Sequence, residues 1–116
     1  MQYALLINVN PAGLNGLTAE QQEEISGEYY AIAEDPRCIA GEHLQGIETA
    51  TTVRADPATG VPLVTDGPFA DTKEFFGGYY VFSADNLDEV LDVASKIPAA
   101  RMGGAVEVRP IMERHS

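Results

Sequence analysis

Cysteine is almost missing from this chain of 116 residues, and cations are scarce: one Cys, and seven Lys and Arg against eighteen Asp and Glu. The single cysteine, Cys38, excludes a disulfide framework, so a reducing cytoplasm is the expected location. A lone cysteine reads as a small apolar side chain before it reads as a nucleophile. The shortage of cations excludes more. Nucleic-acid binding draws much of its affinity from Lys and Arg neutralising phosphates, and a net charge of −11 opposes it. The same deficit argues against attachment to an anionic membrane surface. No apolar run approaches the ~20 residues that span a bilayer. The opening MQYALLINVN has no basic leader, so no signal peptide is expected. There is no phosphate loop, dinucleotide fingerprint or zinc-ligand spacing, and neither cofactor nor metal is expected.

What is present suits one folded domain over residues 1–116, with 112–116 as a tail; hydrophobic residues make up 45% and charged residues 22%. Tyr3 to Val9 alternates as a strand. Thr18 with Gln21 reads as a capping box opening a helix, whose stripe is Ile25, Tyr29 and Ile32 and which Pro36 stops. Six acids without a base (Glu20, Glu23, Glu24, Glu28, Glu34, Asp35) give that helix a solvated face. CIAGEHLQG has no clear period and is expected to run extended around Gly41, whereas Ile47 to Ala55 reads as a strand. DPATG is a reversal, and Val61 to Val64 returns as a short edge strand because Pro62 cannot donate to a ladder. Tyr79 to Ala84 is a strand. Asp85 or Asn86 caps a second helix with the stripe Leu87, Val90, Leu91, Ala94 and Ile97, ended by Pro98, and Ala105 to Ile111 is the last strand. The order β-α-β-(β)-β-α-β predicts an α+β, ferredoxin-like split βαβ sandwich with an added hairpin strand.

Two helices cover only one face of such a sheet. Tyr79 and Val81 fall on one side of their strand, Tyr80 and Phe82 on the other, and the first strand is apolar on both sides. A wet second face would alternate with polar residues, so a homodimer packed sheet to sheet is expected.

Asp66-Gly67-Pro68-Phe69 (DGPF), then DTKE, GGYY and the late IPAARMGGAVEVRPIME, come in an order that resembles the YCII-related proteins of the DGPF type, over nearly the whole chain. The resemblance implies a ferredoxin-like fold that pairs into a dimeric α/β-barrel arrangement. It also implies a genomic habit of lying beside extracytoplasmic-function sigma factors. Among wider relatives it implies His–Asp acid/base chemistry by lyases or dehalogenases on small ring compounds.

Two functional readings stand. In the first, a cofactor-independent lyase or isomerase works on a small organic anion. His43 and Asp66 move protons there, since His115 lies in the tail, while Arg54, Lys73, Glu74 and Arg109 form the substrate-binding set, whose cations supply counter-charge. In the second, the chain is a non-catalytic ligand-sensing or protein-binding module linked to a sigma factor, and the acidic helix meets a basic partner. Asp66 also suits a plain turn, and Glu107 with Arg109, two apart on one strand face, suits an internal ion pair. Gly67 and Pro68 set a backbone path, Phe69 reads as an anchor to the core, and Gly77-Gly78 reads as a bulge.

Overall fold

The alternation of the first residues becomes strand β1, Gln2–Val9, which lies inside a four-stranded antiparallel sheet. A computed structural model describes residues 1–69 and 73–113; His115, Asp71 and Thr72 lie outside the described residues. After β1 come helix α1 (Ala19–Ala33), β2 (Cys38–His43), β3 (Thr51–Ala55) and β4 (Pro62–Asp66). Then follow β5 (Phe75–Ser83), α2 (Leu87–Ala94), a one-turn α3 (Pro98–Arg101) and β6 (Ala105–Pro110). The sheet order is β2-β5-β1-β6, so β1-α1-β2 straddles β5 and β5-α2-β6 straddles β1. This is the split βαβ arrangement expected for a ferredoxin-like fold.

The helix ends follow local chemistry. Thr18 Oγ1 accepts from the Gln21 N–H while the Gln21 side chain accepts from the Thr18 N–H, closing the capping box. Asn86 caps α2 by accepting from the Glu89 N–H. Just past α1, Arg37 donates twice from its side chain and once from its backbone to the Asp35 carboxylate. Those bonds hold Asp35 down at about 2.

Three sequence expectations are corrected. First, the second strand of the main sheet is Cys38–His43, not Ile47–Ala55. Ile47–Thr49 forms a 3₁₀ turn, and β3 pairs with β4 as a separate two-stranded arm. Period 2 is weak in CIAGEH because Gly41 leaves one face empty, whereas the β-branched TTVRA advertises strand without saying which sheet it joins. Second, α2 turns so that Val90, Val93 and Ala94 are buried while Leu87 and Leu91 stay exposed. The helix ends at Ala94, so Ile97 fills the core from the turn that follows and Pro98 opens α3 rather than closing α2. Third, Phe69 is 76% exposed and anchors nothing.

The core forms on one sheet face, where Tyr3, Leu5, Ile7, Tyr80 and Phe82 meet Ile32, Val90, Val93, Ala94, Ile97 and Ala99. Tyr80 and Phe82, two apart, present their rings edge to face at 6.3 Å. The opposite face carries Ala4 and Leu6 against Val81 and Tyr79, with Arg109 and Glu107 beyond. None of the fully buried core residues lies there. No helix among the described residues is long and apolar enough to cross a membrane.

Candidate functional site

α1 does not lie flat on the sheet. Of its fifteen residues only Ile32 is buried, and Ile25 and Tyr29 are half-buried. Beneath it two floor positions are glycine: Gly41, opposite Tyr80, whose ring lies over it, and Gly78, opposite His43 and Ile7 across the ladder. The result is a cavity of about 620 Å³ between α1 and the β2–β5 half of the sheet, a size ordinary for small-ligand sites. Ile7, Val9, Leu14, Leu17, Ile25, Phe75, Ala99 and Met102 supply apolar walls; Asn10, Gln22, Ser26, Tyr29, Tyr30, Tyr79, Tyr80, Glu42 and His43 supply polar groups.

Gly78 matters for a second reason. A Cβ built there would stand 2.6 Å from the Glu42 carbonyl oxygen and 3.3 Å from the His43 Cα. Only glycine lets β2 approach β5 this closely. The expected bulge is also present, as the register slips opposite Gly77 between Ile7 and Asn8. The Leu44 N–H then donates to the Gly77 carbonyl at 2.9 Å, which fixes the strand end that carries His43.

The phenols on the inner wall stay protonated. Tyr80 donates to the Tyr29 carbonyl at 2.8 Å. Burial, helped by Tyr29 and Cys38 nearby, pushes its pKa up to about 12. Tyr29 is raised as well, again chiefly by burial. Burial likewise raises the Cys38 thiol, which disfavours the thiolate a nucleophile requires. Among the described residues, His43 is the one imidazole in the cavity's lining, and no Lys or Arg lines it. Among the described residues no three metal-ligating side chains come together.

Of the six residues proposed from sequence, His43 alone lines this cavity. Asp66 stands opposite Thr51 at the base of the arm, and Arg54 stands opposite Leu63 midway along it. Both are exposed. Lys73 is exposed and Glu74 half-buried just before β5. Arg109 sits on the open sheet face opposite Ala4, and it forms no ion pair with Glu107. The turn expected around Asp66 rests on its neighbour. Gly67, at φ +97°, donates to the Ala50 carbonyl at 2.7 Å, and its own carbonyl accepts from Thr52 Oγ1. Sequence reasoning overlooked Asn10, Gln22, Ser26 and Tyr30 as lining residues. The available signal was the glycines of β2 and β5 facing a helix whose apolar stripe is thin.

A family model for the YCII-related domain matches residues 1–115. The chain belongs to this family. An uncharacterized protein of Rhizobium meliloti (strain 1021) is 31% identical over 116 residues, covering 96% of this chain and 92% of that one. Among solved structures, the chain is similar to 5-chloro-2-hydroxyhydroquinone dehydrochlorinase (TftG) from Burkholderia phenoliruptrix AC1100, in complex with 2,5-dihydroxybenzoquinone. The TM-score is 0.56 at 16% identity, over 98% of this chain and 96% of that one. This likeness shows a shared fold.

Proposed function

We propose that this YCII-related chain is a lyase-type enzyme for a small ring compound, bound between α1 and the sheet, with His43 as the proton-handling group. The observation that carries the reading is the cavity itself: aromatic and aliphatic walls, neutral phenols, and one imidazole at the end of β2. The dehydrochlorinase of the same fold supports the reaction class. In such an elimination the imidazole takes a proton from the substrate. The electron pair left behind forms a new double bond, and the leaving group departs with its own bonding pair as an anion.

The expectation of an anionic substrate is revised within this proposal. Arg54, Lys73 and Arg109 do not line the cavity, and an anion entering it would lose water without gaining a counter-charge. A ligand that enters uncharged and is held by hydroxyl and amide groups suits the walls better. The acidic outer face of α1, which motivated the protein-partner reading, is equally accounted for by solvation.

The experiment is turnover of a chlorinated hydroquinone followed by chloride release, with binding of uncharged hydroxybenzenes compared with benzoates of equal size. His43→Ala should lose at least ~100-fold in kcat with an unchanged thermal midpoint. The uncharged ring should bind at least roughly tenfold tighter than the carboxylate. Turnover unchanged in His43→Ala would remove His43 from the chemistry. Tighter binding of benzoate would restore the anionic reading.

Assembly forms part of the same proposal. A second copy laid on the open face over Ala4, Leu6, Tyr79 and Val81 gives the sheet its missing cover, and light scattering at micromolar concentration tests it.

A further inference from the structure

The β3–β4 arm has no surroundings of its own. Every residue of β4 is exposed, and in β3 only Thr52 is half-buried. Among the described residues, the arm's hydrogen bonds close within residues 50–67. Val53 and Val64 face each other across it and are each 64% exposed. Leu63 is exposed on the other side. A lone two-stranded hairpin is marginal in water at best, so a hairpin with aliphatic residues on both faces needs a seat.

Size says how much seat is missing. The chain exposes 8354 Å², about 2,200 Å² more than a compact monomer of 12.4 kDa exposes. Its radius of gyration is 16.5 Å, against about 13 Å for a compact chain of this length. Removing that excess from two chains would bury roughly 4,400 Å², within the range of obligate dimers. The chain also offers a place for it, the open face of its own sheet, where Ala4, Leu6, Tyr79 and Val81 lie beside Arg109 and Glu107. One molecule that owns both an arm and a seat satisfies both by reciprocal exchange in a closed pair.

We infer that the β3–β4 arm is a dimer clasp, which leaves its own chain and docks on a second copy of this protein through the face that carries Val53 and Val64. The inference rests on the homodimer reading above and adds the arm as its main fastening. Its placement also ties assembly to the site, because the arm leaves β2 after His43 and rejoins the sheet at Phe75, both of which line the cavity.

The test measures dimer dissociation by analytical ultracentrifugation for the wild type, the double variant Val53→Asp/Val64→Asp, and a chain in which residues 51–66 are replaced by two glycines. The shortcut is geometrically mild, since Ala50 and Gly67 are already hydrogen-bonded. Both variants should keep the monomer's circular dichroism while the dissociation constant rises roughly a hundredfold. A wild-type dimer whose affinity changes less than about twofold in both variants would overturn the clasp, leave the dimer standing, and assign the arm to another occupant. A wild type that stays monomeric at tens of micromolar would overturn clasp and dimer together.

Discussion

α1 and α2 cross the same face of the same sheet, yet α2 buries Val90, Val93 and Ala94 within eight residues while α1 buries only Ile32 within fifteen. The difference originates in the strands beneath. Under α2 the sheet offers Tyr3, Leu5 and Phe82, which share one buried cluster with Val90, Val93 and Ala94. Under α1 it offers Gly41 and Gly78, and the gap becomes a cavity. One crossover unit therefore packs against the sheet while its pseudo-symmetric counterpart leaves a cavity. Packing density is the variable a fold of this kind can adjust locally without changing topology.

The contrast can be broken by truncation on either side. Phe82 is fully buried, and Phe82→Ala should cost about 3–5 kcal/mol in urea unfolding. Ile25→Ala, on the cavity side, should cost less than about 1.5 kcal/mol, because the wall it leaves already borders open space. Equal losses would mean that α1 packs as firmly as α2. Next in size is Gly78→Ala, whose Cβ would collide with the Glu42 carbonyl. It should cost about 1–3 kcal/mol and displace His43, so amide shifts should concentrate at the end of β2.

The floor of the cavity can be sharpened by pH. Tyr80 is raised from 10.0 to about 12, so the folded state holds its proton more tightly than the unfolded chain does. That contribution is complete below pH 10 and is lost as pH climbs through about 12. Tyr80→Phe should lose about 1 kcal/mol near neutrality with the bond to the Tyr29 carbonyl, and should flatten the alkaline decline in thermal midpoint. An alkaline decline as steep as the wild type's would show that Tyr80 is not its source. The smallest effect belongs to Ser26→Leu, which fills the cavity from above. Stability should move by less than about 1 kcal/mol while ligand binding, followed by calorimetry, disappears.

Much of this was legible in the sequence where local rules act alone. Thr18 with Gln21, Asn86, and the turn at Asp56, whose carboxylate accepts from the Ala58 and Thr59 N–H groups, all formed as their chemistry requires. The wrong second strand has a physical cause. A hairpin with strong β propensity looks the same whether it joins the sheet or leaves it, and glycine-bearing β2 hides its alternation. His43 was found because histidine is rare here. Its cavity partners were not, because Gln22 and Ser26 read as ordinary solvent positions until α1 is known to stand away from the sheet. Asp66 was paired with His43 through the family resemblance and Arg54 was chosen as a cation on a strand, and the arm carries both away from the cavity.

The helix over the cavity has one more consequence. Glu20, Glu23, Glu24, Glu28 and Glu34 are all exposed along α1, so the roof of the site is acidic while its walls carry no cation. Once the His43 imidazolium has passed its proton to solvent, an anion formed by elimination would find no counter-charge within and a repulsive field above it. Its departure should be downhill and added halide a poor inhibitor, so the helix that makes room for the substrate would also sweep out the leaving group.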